Sequence, residues 1–145
     1  MAVPETAVTL ASIVRVEWPP EKHACHYGIV LAPPAGGVAL MAVSTGEAPY
    51  GRTGWKDYCV SVDWAASPYR DATGGRLAHR GVSYYYPWFA SRVARTYSRD
   101  GVVVDGWVEI LGRFKKAKNV GKFLALIERW ESDGHPLPTD LGSST

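Results

Sequence analysis

"YGIVLAPPAGGVALMAVST", Tyr27 to Thr45, is two apolar runs joined by prolines and glycines. The first, "YGIVLA", puts apolar and β-branched residues on successive positions, as a strand covered on both faces does. "PPAGG" supplies turn chemistry. "VALMAVST", Val38 to Thr45, reads as a second strand, so the pair predicts a β-hairpin with a loop of about four or five residues.

Upstream, "SIVRVEW", Ser12 to Trp18, alternates Ile13, Arg15 and Glu17 against Val14, Val16 and Trp18. That period of two predicts a half-buried strand, ended by Pro19 and Pro20, which carry no N–H for a ladder. Downstream, Gly46 to Asp57 is a glycine-rich loop. "YCVSVDW", Tyr58 to Trp64, places Tyr58, Val60, Val62 and Trp64 on one face. A further loop, "AASPYRDATGGR", leads to "VSYYYPWF", Val82 to Phe89, which has strand propensity but is confined by Pro87 to an edge or bulge. "SRVARTY", Ser91 to Tyr97, suits a strand or a short helical turn.

The end of the chain changes period. "VGKFLALIERW" spaces Val120, Phe123, Leu124, Ile127 and Trp130 as one face of a helix of about fifteen residues. Asn119 is its expected N-cap, and Gly134 followed by Pro136 its stop. Residues 135–145, "HPLPTDLGSST", read as a loose tail after a single domain spanning 1–134. The expected fold class is mainly β with a C-terminal α-helix: a small antiparallel sheet curled into a barrel, with the helix packed on it.

Composition agrees with a packed domain. Of 145 residues, 46% are hydrophobic and 21% charged, which excludes a disordered polyelectrolyte. The longest nearly apolar run, Gly28 to Val43, is broken by two prolines and three glycines and is too short for a membrane helix. "MAVPETAV" has neither the basic start nor the apolar core of a signal peptide, so a cytoplasmic protein without membrane attachment is expected. Two cysteines, Cys25 and Cys59, are too few for a disulfide scaffold; a single bridge between them stays open.

"HACHYGIVL", His23 to Leu31, brings two histidines and a cysteine to the mouth of the hairpin. A structural zinc site would need further ligands, such as Cys59 or His79, and tighter paired spacing, so no metal is expected and no cofactor. The stretch reads as the polar rim of a buried strand. The net charge is only +2, but "RFKKAKNVGK", Arg113 to Lys122, holds five basic residues and no acid. Between residues 50 and 97 tyrosines and tryptophans alternate with arginines and lysines. Trp55, Lys56, Arg76 and Arg80 belong to this set, which suits single-stranded RNA, bases stacking on rings and cations following the backbone. The same residue types also make protein–protein hot spots.

The order of elements resembles the MazF/PemK toxin family, a small SH3-like barrel with a C-terminal helix. "HYGIVLA" lies where that family's second strand would lie. "LMAVSTG" is similar to its threonine-bearing strand end, with Thr45 as the matching threonine. "GGRLAHRGVSYYY" and "ILGRFKKAKNVGKFLALIERW" are similar to its late strand and its ending, so the likeness covers roughly residues 11–132. One departure stands out: the family's catalytic arginine opens the second strand before a proline, and here Cys25, His26, Tyr27 and Gly28 occupy that place.

The resemblance implies a metal-independent endoribonuclease that cleaves single-stranded RNA, is held by a cognate antitoxin protein and forms a homodimer. His26 would then move protons, Thr45 would donate a hydrogen bond to phosphate, and Arg52 would supply the two-pronged cation that histidine cannot. The alternative is a non-catalytic small barrel that binds a protein or a nucleic acid, such as a phage- or plasmid-borne inhibitor. A serine or cysteine hydrolase has no supporting motif.

Overall fold

The computed structural model describes residues 3–18, 25–46, 48–49, 54–65, 81–114 and 117–135. Its strands in chain order are β1 (Ser12–Glu17), β2 (Cys25–Val30), β3 (Val38–Val43), β4 (Val60–Asp63), β5 (Val82–Tyr85), β6 (Ala90–Ala94), β7 (Thr96–Arg99), β8 (Val102–Asp105) and β9 (Trp107–Arg113). One helix follows, α1 (Ala117–Ser132). Five strands form an antiparallel sheet in the order β6-β3-β2-β1-β9, and β4-β5 and β7-β8 form two-stranded ribbons. The chain is therefore mainly β with a C-terminal helix. Among the described residues the sheet does not close into a barrel by a ladder between β6 and β9.

The two edge strands nevertheless meet at one corner. The N–H groups of Gly106 and Trp107 both donate to the Arg95 carbonyl, at 2.8 and 3.2 Å. Trp107 is fully buried, and its indole N–H donates to the Val93 carbonyl of β6 at 3.0 Å. Removing an indole of this size from water contributes about 5 kcal/mol at most, and its polar edge is satisfied. Gly106 is required here because a Cβ would run into the Ala94 carbonyl oxygen. The β7-β8 ribbon projects from the same corner, turning through Asp100 and Gly101 at φ 55° and 80°.

Both faces of the sheet are covered, which explains why the alternation in β1 is incomplete. Ile13, Val14 and Val16 are all fully buried. Val14 and Val16 join Val30, Met41, Val93 and Trp107 on one side. Ile13 joins Ile29, Trp64, Tyr85, Phe114 and Phe123 under the helix and the β4-β5 ribbon. The half-buried strand expected at Ser12–Trp18 is thus two-sided in its first half, and polar side chains return only from Arg15 onward.

The hairpin of β2 and β3 forms, with a tighter turn than expected. Ala35 and Val38 exchange both backbone hydrogen bonds, at 3.0 and 3.1 Å, around Gly36 and Gly37. Both glycines have positive φ, 61° and 74°, the signature of a two-residue type I′ turn. Pro33 and Pro34 leave the regular ladder interrupted below it. Ser91–Tyr97 is strand, split between β6 and β7. Pro87 ends β5 and opens a short 3-10 turn, Pro87–Phe89.

Helix α1 begins at Ala117, so Asn119 falls inside it rather than capping it. Val120, Phe123 and Leu126 are buried, whereas Leu124 is 43% exposed. At 100° per residue Leu124 stands roughly 100° from the centre of the buried stripe and Leu126 roughly 60°, so Leu126 takes the place expected for Leu124. The stop is where it was expected. Gly134 has φ 88°, its N–H donates to the Glu131 carbonyl at 3.0 Å, and that of His135 reaches Trp130 at 3.2 Å. These two bonds make a Schellman cap. Residues 136–145 of the expected tail lie outside the described residues, as do Arg52, Arg76 and Arg80; His135, its first residue, is described and bonded to the helix end.

Gly106→Ala is expected to destabilise the fold by about 3 kcal/mol through the backbone collision at the corner. Gly121→Ala, on the open face of α1 with nothing within 4 Å of the added methyl, is expected to stabilise it by about 1 kcal/mol. Urea melts of the two variants check both signs; a neutral Gly106→Ala would remove the corner from its role.

Candidate functional site

The rim of the hairpin opens into a cleft of about 300 Å³ lined by Arg15, Cys25, His26, Tyr27, Ser44, Thr45, Gly46 and Ser83. Four separate chain segments supply these residues, and the sheet register brings them together. Arg15 of β1 stands opposite Tyr27 of β2. The Tyr27 N–H donates to Ser44 Oγ at 2.8 Å, and the Ser44 N–H donates back to the Tyr27 carbonyl at 3.3 Å. Tyr85 Oη donates to the same carbonyl at 3.0 Å. The Tyr27 ring meets Trp64 edge-on at 5.3 Å, and the Trp64 indole N–H donates to Ser83 Oγ at 2.7 Å. Thr45 is tied to Tyr84 by two backbone bonds of 2.9 Å each.

The floor of the cleft is therefore held in place by buried aromatic and hydroxyl groups before any ligand arrives. Its cation is Arg15. Two register shifts in the β1-β9 pairing flank this residue, between Ile13 and Val14 and between Arg15 and Val16. Such irregularities turn a side chain out of the ordinary pleat. Arg15 Nη2 lies 3.3 Å from Glu109 Oε2, with the two side chains 38% and 33% exposed. An ion pair this open to solvent is worth roughly 0–1 kcal/mol, so an anion can compete for the guanidinium.

Of the residues singled out in the sequence, His26 and Thr45 meet in this cleft. Trp55 lies elsewhere, on a second concavity with Tyr58, Trp88 and Trp130, and Lys56 is exposed next to it. Arg52, Arg76 and Arg80 are outside the described residues, as are His23 and His79. Arg15, Ser44 and Ser83 were not anticipated. Arg15 was visible only as a charge on an apolar strand, a signal that gains meaning once its pairing with Tyr27 is known.

Both cysteines are free thiols. Cys25 is exposed at the cleft, while burial pushes the Cys59 thiol up, against hydrogen bonds from Tyr86 and Tyr85 that pull it down. Among the described residues no three His, Cys, Asp or Glu side chains are grouped to hold a metal ion, and no helix is long and apolar enough to cross a membrane. No family model matches the chain, and neither a curated protein nor a solved structure matches it. Chemically, the cleft joins a guanidinium, an imidazole and hydroxyl groups, a set suited to an anionic ester.

Alkylation near neutral pH is expected to modify Cys25 at least about tenfold faster than Cys59, since burial lowers the thiolate fraction of Cys59 and Cys25 is the more accessible. Peptide mapping after a short exposure reads the ratio. Equal rates would mean that the cleft rim is closed to solvent.

Proposed function

We propose that the cleft binds a phosphodiester and that the protein is a metal-independent endoribonuclease of MazF/PemK type acting on single-stranded RNA. The observation that carries this reading is the convergence of Arg15, His26 and Thr45 on one cavity of about 300 Å³. His26 takes the proton of the ribose 2′-OH as that oxygen attacks the adjacent phosphorus. Arg15 balances the charge on the phosphoryl oxygens, and the Thr45 hydroxyl donates to one of them. The bond to the 5′ oxygen breaks, leaving a 2′,3′-cyclic phosphate and a 5′-OH end once that oxygen is protonated.

Arg15 thus offers, from the neighbouring strand, the cation that the family carries at the opening of the second strand. Arg52, in the loop after Thr45, would be a further one. The strand order supports the family fold: β1, β2, β3 and β6 succeed one another across the sheet, and β9 returns to the far side of β1. A rolled SH3-like sheet would have this neighbour order, and the contacts at the Arg95–Gly106 corner support that reading. In this reading the partners are RNA, a cognate antitoxin and a second copy of the chain, in the cytoplasm.

A second reading, a non-catalytic module that binds nucleic acid or protein, is favoured by one observation. Among the described residues His26 is the one imidazole lining the cleft, whereas the reaction needs both a proton acceptor and a proton donor.

Incubating the purified chain with a long single-stranded RNA in EDTA separates the two. Cutting that leaves 5′-OH ends, and that falls by about 10²–10⁴ in His26→Ala and about 10²–10³ in Arg15→Ala, is expected. Intact RNA that is nonetheless retained by the protein selects the binding module. Cutting that is unchanged in both variants would dismiss this cleft as the site.

A further inference from the structure

A second concavity, of about 590 Å³, lies between the 3-10 turn Trp55–Tyr58, the turn Pro87–Phe89 and the end of α1. Trp55, Asp57, Tyr58, Trp88, Trp130 and His135 line it. Its rings touch in series: Trp55 to Trp88 at 5.3 Å, Trp88 to Trp130 at 4.9 Å, and Trp130 to Tyr58 at 4.9 Å and 90°. His135 stacks on Trp130 at 4.0 Å and 16°, where the Schellman cap holds it. Tyr58 Oη donates to Asp133 at 2.7 Å, and the Arg129 guanidinium lies over the Tyr58 ring at 5.1 Å.

Helix packing alone does not account for this arrangement. The buried stripe of α1 is already served by Val120, Phe123 and Leu126. Beyond it three indoles and a phenol remain only half-buried around an open space. Large aromatic surface left this way is the usual mark of a binding site. The walls come from three chain segments pinned by hydrogen bonds and ring contacts, so the space is preformed.

The size and chemistry narrow the occupant. A volume of about 590 Å³ suits a ligand of nucleotide size and is generous for a lone methylated ammonium group. Indole faces stack on planar bases. Asp57 sets a carboxylate, which only accepts hydrogen bonds, at the wall. The base whose pairing edge offers two adjacent N–H donors to a carboxylate is guanine. Lys56, exposed and next in the chain to Trp55, and Arg129, over the Tyr58 ring, add positive charge close to these walls.

We propose that this cavity is a nucleobase-binding site that selects guanine, the base stacked on Trp55 and its N–H edge held by Asp57. The site is separate from the hairpin cleft and does not depend on cleavage there. It would serve equally a free guanine nucleotide or a guanine within a single strand, since both present the same ring and edge.

The test uses the full chain and its intrinsic tryptophan fluorescence. GMP, AMP, CMP and UMP are titrated separately, followed by a short RNA with one guanine. Saturable quenching is expected with GMP, at least about tenfold tighter than with AMP. Binding to the RNA much tighter than to GMP assigns the site to a strand; equal binding assigns it to a free nucleotide. Trp55→Ala is expected to weaken GMP about tenfold or more. Asp57→Asn, a near-isosteric change at an exposed position, is expected to fold normally and to abolish the preference for GMP over AMP. Absence of saturation with all four nucleotides overturns the proposal. So does a preference for tetramethylammonium or a trimethyllysine peptide over GMP, or a GMP preference unchanged in Asp57→Asn. Loss of RNA cutting in His26→Ala with GMP binding intact leaves this site standing, and the reverse result removes this site alone.

Discussion

The contact on which the molecule depends is the approach of Gly106 to the backbone at the end of β6. It lets β9 leave the projecting ribbon, turn under Arg95 and run back beside β1. Trp107, next in the chain, packs with Val14, Val16 and Val93 and anchors its indole on β6. The N-terminal segment joins the same knot: Arg95 Nε donates to the Val3 carbonyl at 2.6 Å, and the Val3 N–H to the Trp107 carbonyl at 3.2 Å. Without this return β1 would be an edge strand with one bare ladder, and the two-sided burial of Ile13 and Val14 would have no partner strand on that side.

Strands and helix were legible because each rests on a local period. The hairpin at Tyr27–Thr45, the face of Val62 and Trp64, and the helix stop at Gly134 all follow from residues within a few positions of one another. Errors arose where distant packing decides. Leu126 replaces Leu124 because the helix packs against β4 and the turns at Trp55–Tyr58 and Pro87–Phe89, partners far away in the chain. Ser12 to Val14 are buried on both sides because the β4-β5 ribbon and α1 cover a face that the local alternation left to solvent.

The cleft was half legible for the same reason. His26 lies in β2 and Thr45 two residues beyond β3, on the two arms of one hairpin, so a sequence reading could bring them together. Arg15 and Ser83 reach the cleft through pairing with β2 and through the Thr45–Tyr84 bridge, contacts between segments that are far apart in the chain. No spacing rule encodes them. The irregular β1-β9 register that flanks Arg15 is likewise a property of the paired strands and not of either one.

The two concavities divide the polar chemistry between them. The hairpin cleft has a cation, an imidazole and hydroxyls; the second is lined by three indoles, a phenol, an imidazole and a carboxylate. A phosphodiester suits the first and a base the second. The β4-β5 ribbon connects them, since Ser83 lines the cleft opposite Val62 while Tyr58, just before β4, lines the aromatic cavity. A single strand long enough to reach from one cavity to the other would engage Arg15 and Trp55 at once. Two weak contacts joined by one short chain bind far more tightly than either alone, because the second forms at the high effective concentration set by the first. A half-exposed guanidinium paired with Glu109 at 3.3 Å would then add more to a ligand spanning both cavities than it could alone.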